Sequence, residues 1–211
     1  MTTNVASFSA GRAGARGASD PSGTTAPEYL DTQLIERIAA GNRLAMQALY
    51  TRHSKRVFHF ALRLAGSEAA AEDVVSEVFL DVWRKAGTFE GRAQVSTWLL
   101  GITRNKALDA RKARPTENLT DEVAESIEDP ANNPEVEFQK KNTRAIMRKC
   151  LAEMSPVHRE IIDLVYYHGK SIDDVAKITG AGPATVKTRM FYARKRLAEL
   201  LRAHGITTAA A

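Results

Sequence analysis

Apolar residues recur along the chain every three or four positions, and this spacing predicts amphipathic helices almost throughout. No segment shows a convincing two-residue alternation of the kind that indicates a strand. The first apolar stripe begins before Gly41 and continues after it: Leu34, Ile35, Ile38, Leu44, Ala48 and Leu49. A second stripe ends at Gly66: Val57, Phe58, Ala61, Leu62 and Ala65. The pattern therefore predicts an all-α fold.

A third helix is predicted after Ser67, whose hydroxyl suits the N-cap position. Its broad apolar face comprises Val74, Val75, Val78, Phe79, Val82 and Trp83. Residues 87–94 are predicted to form a loop, and a further helix starts at about Ser96 and ends in a basic segment at Arg114. Residues 28–114 are thus expected to form a compact bundle of about four helices.

A second helical block is predicted over residues 137–204. Its first helix presents Ile146, Met147 and Leu151. Ser155 followed by Pro156 then suits the start of a second helix, which ends at Gly169 and carries Val157, Ile161, Ile162, Leu164 and Val165. Ser171 is the expected N-cap of a third helix, and the Gly180 to Gly182 turn leads into the last one. The chain is therefore predicted to contain two small helical domains.

The segments outside these blocks have a different composition. Residues 1–27 are small, polar and glycine-rich, which predicts a disordered tail, and residues 205–211 form a second tail. Residues 115–136 are predicted to be a flexible acidic linker, punctuated by Asp129-Pro130 and Asn133-Pro134. Residues 115–137 hold eight acidic residues and no lysine or arginine, so the rest of the chain carries a formal charge of about +13. This asymmetry indicates either basic surfaces for a polyanion or two ordinary basic domains with a solvated linker.

The last two helices have the arrangement of a helix-turn-helix, in which the second helix enters the DNA major groove. Four apolar positions would face the core: Val186, Met190, Ala193 and Leu197. The remaining surface would present Thr185, Lys187, Thr188, Arg189, Phe191, Arg194 and Lys195. Basic side chains suit guanine edges and phosphates, and a phenyl ring suits the thymine methyl. The alternative is a solvated basic helix at the end of a bundle.

The first block contains two further candidate surfaces. Basic residues follow Trp98 beside the predicted loop, a combination that binds single-stranded nucleic acid by stacking and phosphate contact: Arg104, Lys106, Arg111, Lys112 and Arg114. A core tryptophan and a solvated helix end are the alternative. Asp73, Glu77 and Asp81 form an acidic stripe whose mutual repulsion a basic protein partner would relieve. A solvated acidic face remains the other interpretation.

Several classes of protein are disfavoured by the composition. No apolar run is long enough for a membrane helix, and the N-terminus does not have the pattern of a secretory signal. A single cysteine, Cys150, excludes an internal disulfide and a cysteine-rich zinc site, so a reducing cytoplasm fits best. The chain has neither a P-loop nor an HExxH motif nor a nucleophile elbow. No enzyme activity, cofactor or metal is therefore predicted.

The isolated titratable groups do not alter this prediction. The histidines are scattered and none forms a metal-ligand pair on one helix face: His53, His59, His158, His168 and His204. We expect His158 and His168 at the surface or at helix ends. Cys150 is expected to be a buried small hydrophobe, with a redox-sensing thiol as the alternative.

Two segments resemble the second and fourth conserved regions of bacterial sigma factors. They are DVVSEVFLDVWRKAGTFEGRAQVSTWLLGITRNKALDARKAR and EMSPVHREIIDLVYYHGKSIDDVAKITGAGPATVKTRMFYARKRL. Their order, and the short acidic linker between them, resemble the extracytoplasmic-function (ECF) sigma factors of the sigma-70 family. The resemblance extends over about residues 30–202. It implies a protein that binds core RNA polymerase and directs promoter-specific initiation. A stand-alone helix-turn-helix regulator of duplex DNA is the alternative function.

The resemblance also implies roles for particular residues. It implies contact with core polymerase for Asp73, Ser76, Glu77 and Asp81. It assigns the −10 element, with a base flipped into a pocket, to the loop of residues 88–95 and to Phe89, Arg92, Trp98, Arg104, Asn105 and Lys106. It assigns the −35 element to the exposed face of the last helix, named above. The family alone implies an anti-sigma factor as a further partner. It also implies that the acidic linker lies in a channel of the polymerase; the alternative is that the linker only tethers the two domains.

Two departures from the family pattern matter. Ser76 stands where the family commonly has glutamine. Gly101 and Ile102 stand where housekeeping sigma factors carry a tryptophan pair that wedges the melted duplex. The absence of that tryptophan pair implies that the protein melts promoter DNA less strongly and depends more strictly on the promoter sequence.

Overall fold

A computed structural model describes residues 26–113 and 145–206, and both ranges consist of helices joined by short connections. The helices of the first block are α1 (Ala26–Ala39), α2 (Arg43–Ala65), α3 (Glu68–Lys85) and α4 (Val95–Ala113), with a 3₁₀ turn at Ala86–Thr88. The second block contains α5 (residues 145–152), α6 (Pro156–Ile162), α7 (Ile172–Thr179) and α8 (Pro183–Ala203). A π-helical turn, Asp163–Tyr167, extends α6. None of the described residues forms a strand, and the predicted all-α fold is confirmed.

The predicted tails and the linker fall largely outside the described residues. This applies to residues 1–25, to the whole predicted linker 115–136 and to residues 207–211. The helix α1 begins two residues inside the predicted N-terminal tail, a difference within the usual uncertainty of a helix boundary.

Serine side chains start three of the helices at the positions that the sequence predicts. Ser67, Ser155 and Ser171 each accept a hydrogen bond from the amide three residues further on, at 3.3, 3.4 and 3.1 Å. These bonds satisfy amides that have no partner within the helix. Pro156 follows Ser155 at the first helical position, where a missing N–H costs nothing.

The core of the first block lies between α2, α3 and α4, and α1 covers it. The predicted stripe of α2 is wrong at its start, because Leu44 is 73% exposed and Ala48 is also exposed. Ala45 and Leu49 take the core positions instead. One position along a helix turns a side chain by about 100°, so the stripe was placed one residue too early. Trp83 was also predicted on the apolar face of α3 but is 37% exposed, because the preceding residue, Val82, occupies the core position.

The second core lies between α5, α6, α7 and α8. Its buried members from this block are Cys150, Met154, Ile161, Ile162, Leu164, Val175, Ile178, Val186, Met190, Ala193, Leu200 and Leu201. Val157 was predicted on the core face but is 42% exposed in the first turn of α6. Cys150 is fully buried, as predicted, and this burial raises the pKa of its thiol.

The two blocks pack directly against each other, which the sequence did not predict. Phe60 of α2 and Leu100 of α4 are buried within the second cluster rather than the first. Helix α7 lies against α4, so the helix-turn-helix is held beside the first block. His168 was expected at a surface or a helix end; it follows the π-helical turn but is buried in this contact, 8% exposed.

Candidate nucleic-acid interface

A cavity of about 410 Å³ lies between the connection after α3 and one face of α4. Phe89 and Trp98 line it, with ring centroids 5.1 Å apart and planes inclined by 47°. Asn105 and Arg92 add an amide and a guanidinium to the lining. Aromatic faces bind any nucleobase by stacking, while the amide offers hydrogen bonds to a base edge. The cavity therefore has the chemistry to hold a planar, hydrogen-bonding ligand.

Three adjacent residues of α4 that were grouped in one predicted site face three different surroundings. Asn105 lines the cavity. Arg104 forms an ion pair with Glu160 of the second block, with Nη2 donating to Oε2 at 3.3 Å. Lys106 turns toward α3 and pairs with Glu77 at 3.0 Å. Successive side chains project about 100° apart around a helix, so a run of polar residues does not form one surface.

The acidic stripe of α3 is present, and Lys106 neutralises part of it. The Nζ of Lys106 also lies 3.4 Å from Asp81, which accepts a hydrogen bond from Lys85 at 3.0 Å. These contacts lower the pKa of Asp81, the Lys85 hydrogen bond most, and the Glu77 hydrogen bond raises the pKa of Lys106. Asp73 is exposed and forms no ion pair among the described residues. Ser76 is exposed on the same helix.

Helices α7 and α8 form the predicted helix-turn-helix. The turn contains Gly180 in the left-handed region, with φ at 70°, and α8 starts with Pro183 at the first helical position. The predicted core positions Val186, Met190 and Ala193 are buried, and Leu197 is half-buried. The spacing of three or four residues therefore predicted correctly which face of α8 is buried.

The predicted −35 residues lie on the outer surface of α8. Arg189 is half-buried and the others are exposed: Thr185, Lys187, Thr188, Phe191, Arg194 and Lys195. This helix contains six basic residues and one acidic residue, which favours contact with a polyanion. Tyr192, which the sequence analysis did not include, packs edge-on against Phe191 with centroids 5.4 Å apart. Arg194 lies over the ring of Tyr166 at 5.8 Å.

Comparison with known proteins identifies the family. The Sigma-70 region 2 family matches residues 49–115, and the Sigma-70, region 4 family matches residues 144–197. The ECF RNA polymerase sigma factor SigL of Mycobacterium tuberculosis is 32% identical over 174 residues, covering 82% of this chain and 98% of SigL. SigM of the same organism is 33% identical over 177 residues, covering 82% of this chain and 86% of SigM. The chain belongs to the ECF sigma factors.

Two solved structures have a similar fold, and one of them is a sigma factor. RpoE of Bartonella quintana, determined with the anti-sigma factor NepR, is 28% identical with a TM-score of 0.56, covering 74% of this chain and 96% of that one. CnrH, determined with the cytosolic domain of CnrY, is 24% identical with a TM-score of 0.60, covering 82% and 98%. Both matches extend across the two helical blocks of this sigma factor.

Family membership decides between the two functions that the sequence left open. A sigma factor directs promoter-specific transcription initiation by core RNA polymerase, and a stand-alone regulator would not contain region 2. The first block of this sigma factor corresponds to region 2 and the second to region 4.

Within the described ranges, no helix is both long and apolar enough to cross a membrane. Nor do His, Cys, Asp and Glu cluster there into a metal site.

Lys177 of α7 belongs to the cavity wall of this sigma factor, although it comes from region 4. Its Nζ donates to the backbone oxygen of Arg92 at 2.8 Å, across 85 positions of the chain. Sequence reasoning missed Lys177, because a lysine on the exposed side of a short helix carries no signal for such a contact.

Proposed function

We propose that the two blocks of this sigma factor divide promoter recognition between them. The cavity of the first block receives a base of the −10 element from the non-template strand, and the outer face of α8 binds the −35 element. The observation that carries the proposal is the pairing of Phe89 and Trp98 beside Asn105 in one open cavity. Flipping a base out of the stack costs a few kcal/mol, which stacking and edge contacts in such a cavity offset.

The same proposal assigns core polymerase to the outer side of α3. Asp73 is exposed, and the apolar side chains of Leu80 and Trp83 are 46% and 37% exposed on the same helix. An acidic stripe beside exposed apolar surface suits a basic, amphipathic protein partner. Glu77 and Asp81 of this stripe also form ion pairs with Lys106 of α4.

An anti-sigma factor is proposed as a further partner. RpoE of Bartonella quintana was determined with such a protein. This chain exposes aromatic residues on region 4 that offer a place for one: Tyr166, Tyr167, Phe191 and Tyr192. We further propose that the protein acts in the cytoplasm and has no catalytic activity of its own.

Two alanine substitutions test the division of labour. Arg189→Ala on α8 is expected to weaken binding to promoter duplex about tenfold, the scale of one lost charge-assisted contact, while leaving affinity for core polymerase unchanged. Asp73→Ala is expected to weaken polymerase binding and leave duplex binding unchanged. Both affinities are measured by fluorescence anisotropy.

Matched controls remove a charge of the same sign from the same helix. Arg196→Ala on α8 loses only a surface pair with Glu199, and Glu72→Ala lies beside Asp73. Neither control is expected to change either affinity. Equal losses in both assays for Arg189→Ala and Asp73→Ala would rule out the proposed division.

A further inference from the structure

A buried polar cluster, here called the Asp31 anchor, holds α1 against the rest of region 2. It consists of Asp31 of α1 with Arg52 and His53 of α2. Asp31 is 2% exposed and His53 is 5% exposed, and Asp31 Oδ2 lies 2.7 Å from His53 Nε2. Displacement of α1 would leave these buried polar atoms without partners, which is costly. The anchor therefore fixes where the first part of α1 lies on α2.

The rest of the contact between α1 and region 2 is apolar. Ile35 and Ile38, each 2% exposed, follow Asp31 at the spacing that places all three side chains on one face of the helix. Apolar contacts have no preferred direction, whereas a hydrogen bond requires a defined distance and angle. With 14 residues, α1 is also too short to be stable in water without tertiary contacts. The anchor is thus the contact that defines the position of α1 along its own axis.

The other end of α1 packs against the turn that leads into the aromatic cavity. The 3₁₀ turn Ala86–Thr88 contacts α1, and Ala86 is 3% exposed in the same core cluster as Ile35 and Ile38. A Cβ atom added to Gly87 would lie 3.9 Å from the Cβ of Ala39, the last residue of α1. The turn therefore rests on the C-terminal end of α1.

Two hydrogen bonds connect this turn rigidly to Phe89. The backbone amide of Phe89 donates to the oxygen of Ala86 at 3.1 Å, and the hydroxyl of Thr88 donates to the oxygen of Lys85 at 2.8 Å. The ring of Phe89 then lines the cavity opposite Trp98, which belongs to α4. Because the two rings are carried by different elements, a displacement of the turn changes the separation between them.

We propose that Asp31 is a positioning residue for recognition of the −10 element, and that it acts through α1 and the 3₁₀ turn on the ring of Phe89. This inference rests on the proposed function, because it takes the cavity as the site of a flipped base. Asp31 itself does not line the cavity. Its carboxylate sets the position of α1, and α1 sets the position of one of the two rings that stack on the base.

The first measurement needs no DNA, because Trp98 reports on its own surroundings. The chain has two tryptophans, so Trp83→Phe leaves Trp98 as the only one. Quenching of its emission by acrylamide measures how accessible the indole ring is to solvent. Asp31→Asn in this background is expected to increase the quenching constant, because Phe89 no longer covers the indole ring in the same way.

The second measurement is the affinity of the holoenzyme for single-stranded DNA, with Trp83 retained. The probe is a labelled strand that carries the non-template −10 segment of a promoter on which the parent chain initiates, and binding is followed by anisotropy. Asp31→Asn is expected to weaken binding about tenfold, the scale of one contact between a base and an aromatic ring. Affinity for core polymerase should be unchanged.

A matched control separates positioning from loss of stability. Leu62→Ala removes a side chain that is 6% exposed near the C-terminal end of α2, outside the anchor. Loss of a buried leucine side chain is at least as destabilising as loss of one buried hydrogen-bonded charge. A destabilised chain that is still folded keeps its binding surfaces, so Leu62→Ala should match the parent in both measurements.

A removable cross-link tests the route through α1. Ala39→Cys combined with Gly87→Cys places two Cβ atoms 3.9 Å apart, close to the roughly 3.8 Å found in disulfides. The native cysteine, Cys150, is fully buried. In Asp31→Asn, oxidation of the new pair should restore the quenching constant and the affinity of the parent, and reduction should remove the rescue. The same pair in the parent chain should give equal values in both redox states.

Each outcome supports or overturns the role of Asp31. Increased quenching and weaker binding in Asp31→Asn, reversed by the cross-link and absent from Leu62→Ala, support it. Unchanged values in folded Asp31→Asn, equal losses in Leu62→Ala, or losses that the cross-link does not reverse overturn it. If circular dichroism shows that Asp31→Asn unfolds, Arg52→Gln takes its place and must meet the same conditions. A parent holoenzyme that does not bind the strand refutes the proposed function, while quenching of Trp98 still decides whether Asp31 positions Phe89.

Discussion

At the scale of single residues, one buried carboxylate attaches α1 to the rest of region 2. Asp31 is 2% exposed, and its Oδ2 accepts a hydrogen bond from His53 Nε2 at 2.7 Å. Arg52 pairs with the other oxygen. Burial acts to raise the pKa of Asp31, but the contacts with His53 and Arg52 outweigh it, so that this pKa lies below its usual 3.8. The charged carboxylate is therefore the form that the fold stabilises.

Asp31→Asn is expected to lower the free energy of unfolding by about 1–3 kcal/mol at neutral pH, because it removes charge from a buried, hydrogen-bonded site. The contribution of Asp31 is present above its unfolded pKa and is lost as pH falls through its lower folded value. The stability difference between parent and variant should thus shrink below about pH 4. Thermal unfolding across pH measures it.

Glu36→Gln provides the control for this substitution, since Glu36 is exposed on the same helix. It should change stability by less than about 0.5 kcal/mol. A difference between parent and Asp31→Asn that persists unchanged to pH 3 would contradict the assigned role of the carboxylate.

Residue types in region 2 were predictable, but their partners were not. The sequence placed Arg104, Asn105 and Lys106 in one basic segment, whereas the fold assigns them to an interdomain ion pair, a cavity wall and an acidic stripe. Composition indicates which chemistry a segment can perform. The rotation of a helix relative to its neighbours, which decides what each side chain meets, depends on contacts distant in sequence.

At the scale of elements, the turn between α7 and α8 determines where the DNA-facing helix points. Gly180 has φ at 70°, a left-handed conformation that side chains with a Cβ adopt at a cost of about 1 kcal/mol. Gly182 has φ at −63°, which any residue adopts. A Cβ at either position would meet no atom within 4 Å. The two glycines therefore differ in backbone conformation but not in available space.

Gly180→Ala should lower the free energy of unfolding by about 1 kcal/mol, because alanine is strained in the left-handed conformation. It should also weaken binding of promoter duplex, because relaxation of the turn changes the direction of α8. Gly182 is the N-cap of α8, where alanine is less favourable than glycine. Its φ suits alanine, however, and alanine lowers the entropy of the unfolded chain, so Gly182→Ala should change stability by only about a few tenths of a kcal/mol. Chemical denaturation and anisotropy with the same duplex measure both. Equal losses for the two variants would show that the left-handed conformation at Gly180 is not what the turn requires.

The turn of π-helix after α6 is an element that the apolar periodicity did not predict. The wider turn over Asp163–Tyr167 leaves Tyr166 and Tyr167 exposed, while Asp163 and Leu164 point inward. A strict 3.6-residue pattern assigns faces wrongly beyond such an insertion. His168 follows this turn at a helix end, one of the two places that the sequence analysis expected, but it is buried. Asp163 was not included in any predicted contact.

At the scale of the whole molecule, the sequence predicted two helical blocks but not their contact. The residues that join them are far apart, since Arg63 and His168 are separated by 105 positions. One signal was present: Phe60 and Leu100 are large apolar residues that the core of their own block does not use. Apolar positions outside a stripe indicate a second buried face, although the sequence does not say what covers it.

Run-off transcription by core RNA polymerase, with and without this chain, on fragments of its source genome shows directly whether the protein initiates transcription at specific promoters. We predict discrete transcripts that appear only when the chain is added, from templates that share two sequence elements upstream of the start. Binding of the chain to duplex DNA without association with core polymerase, and with no new transcript from any fragment, would show that the protein does not act as a sigma factor.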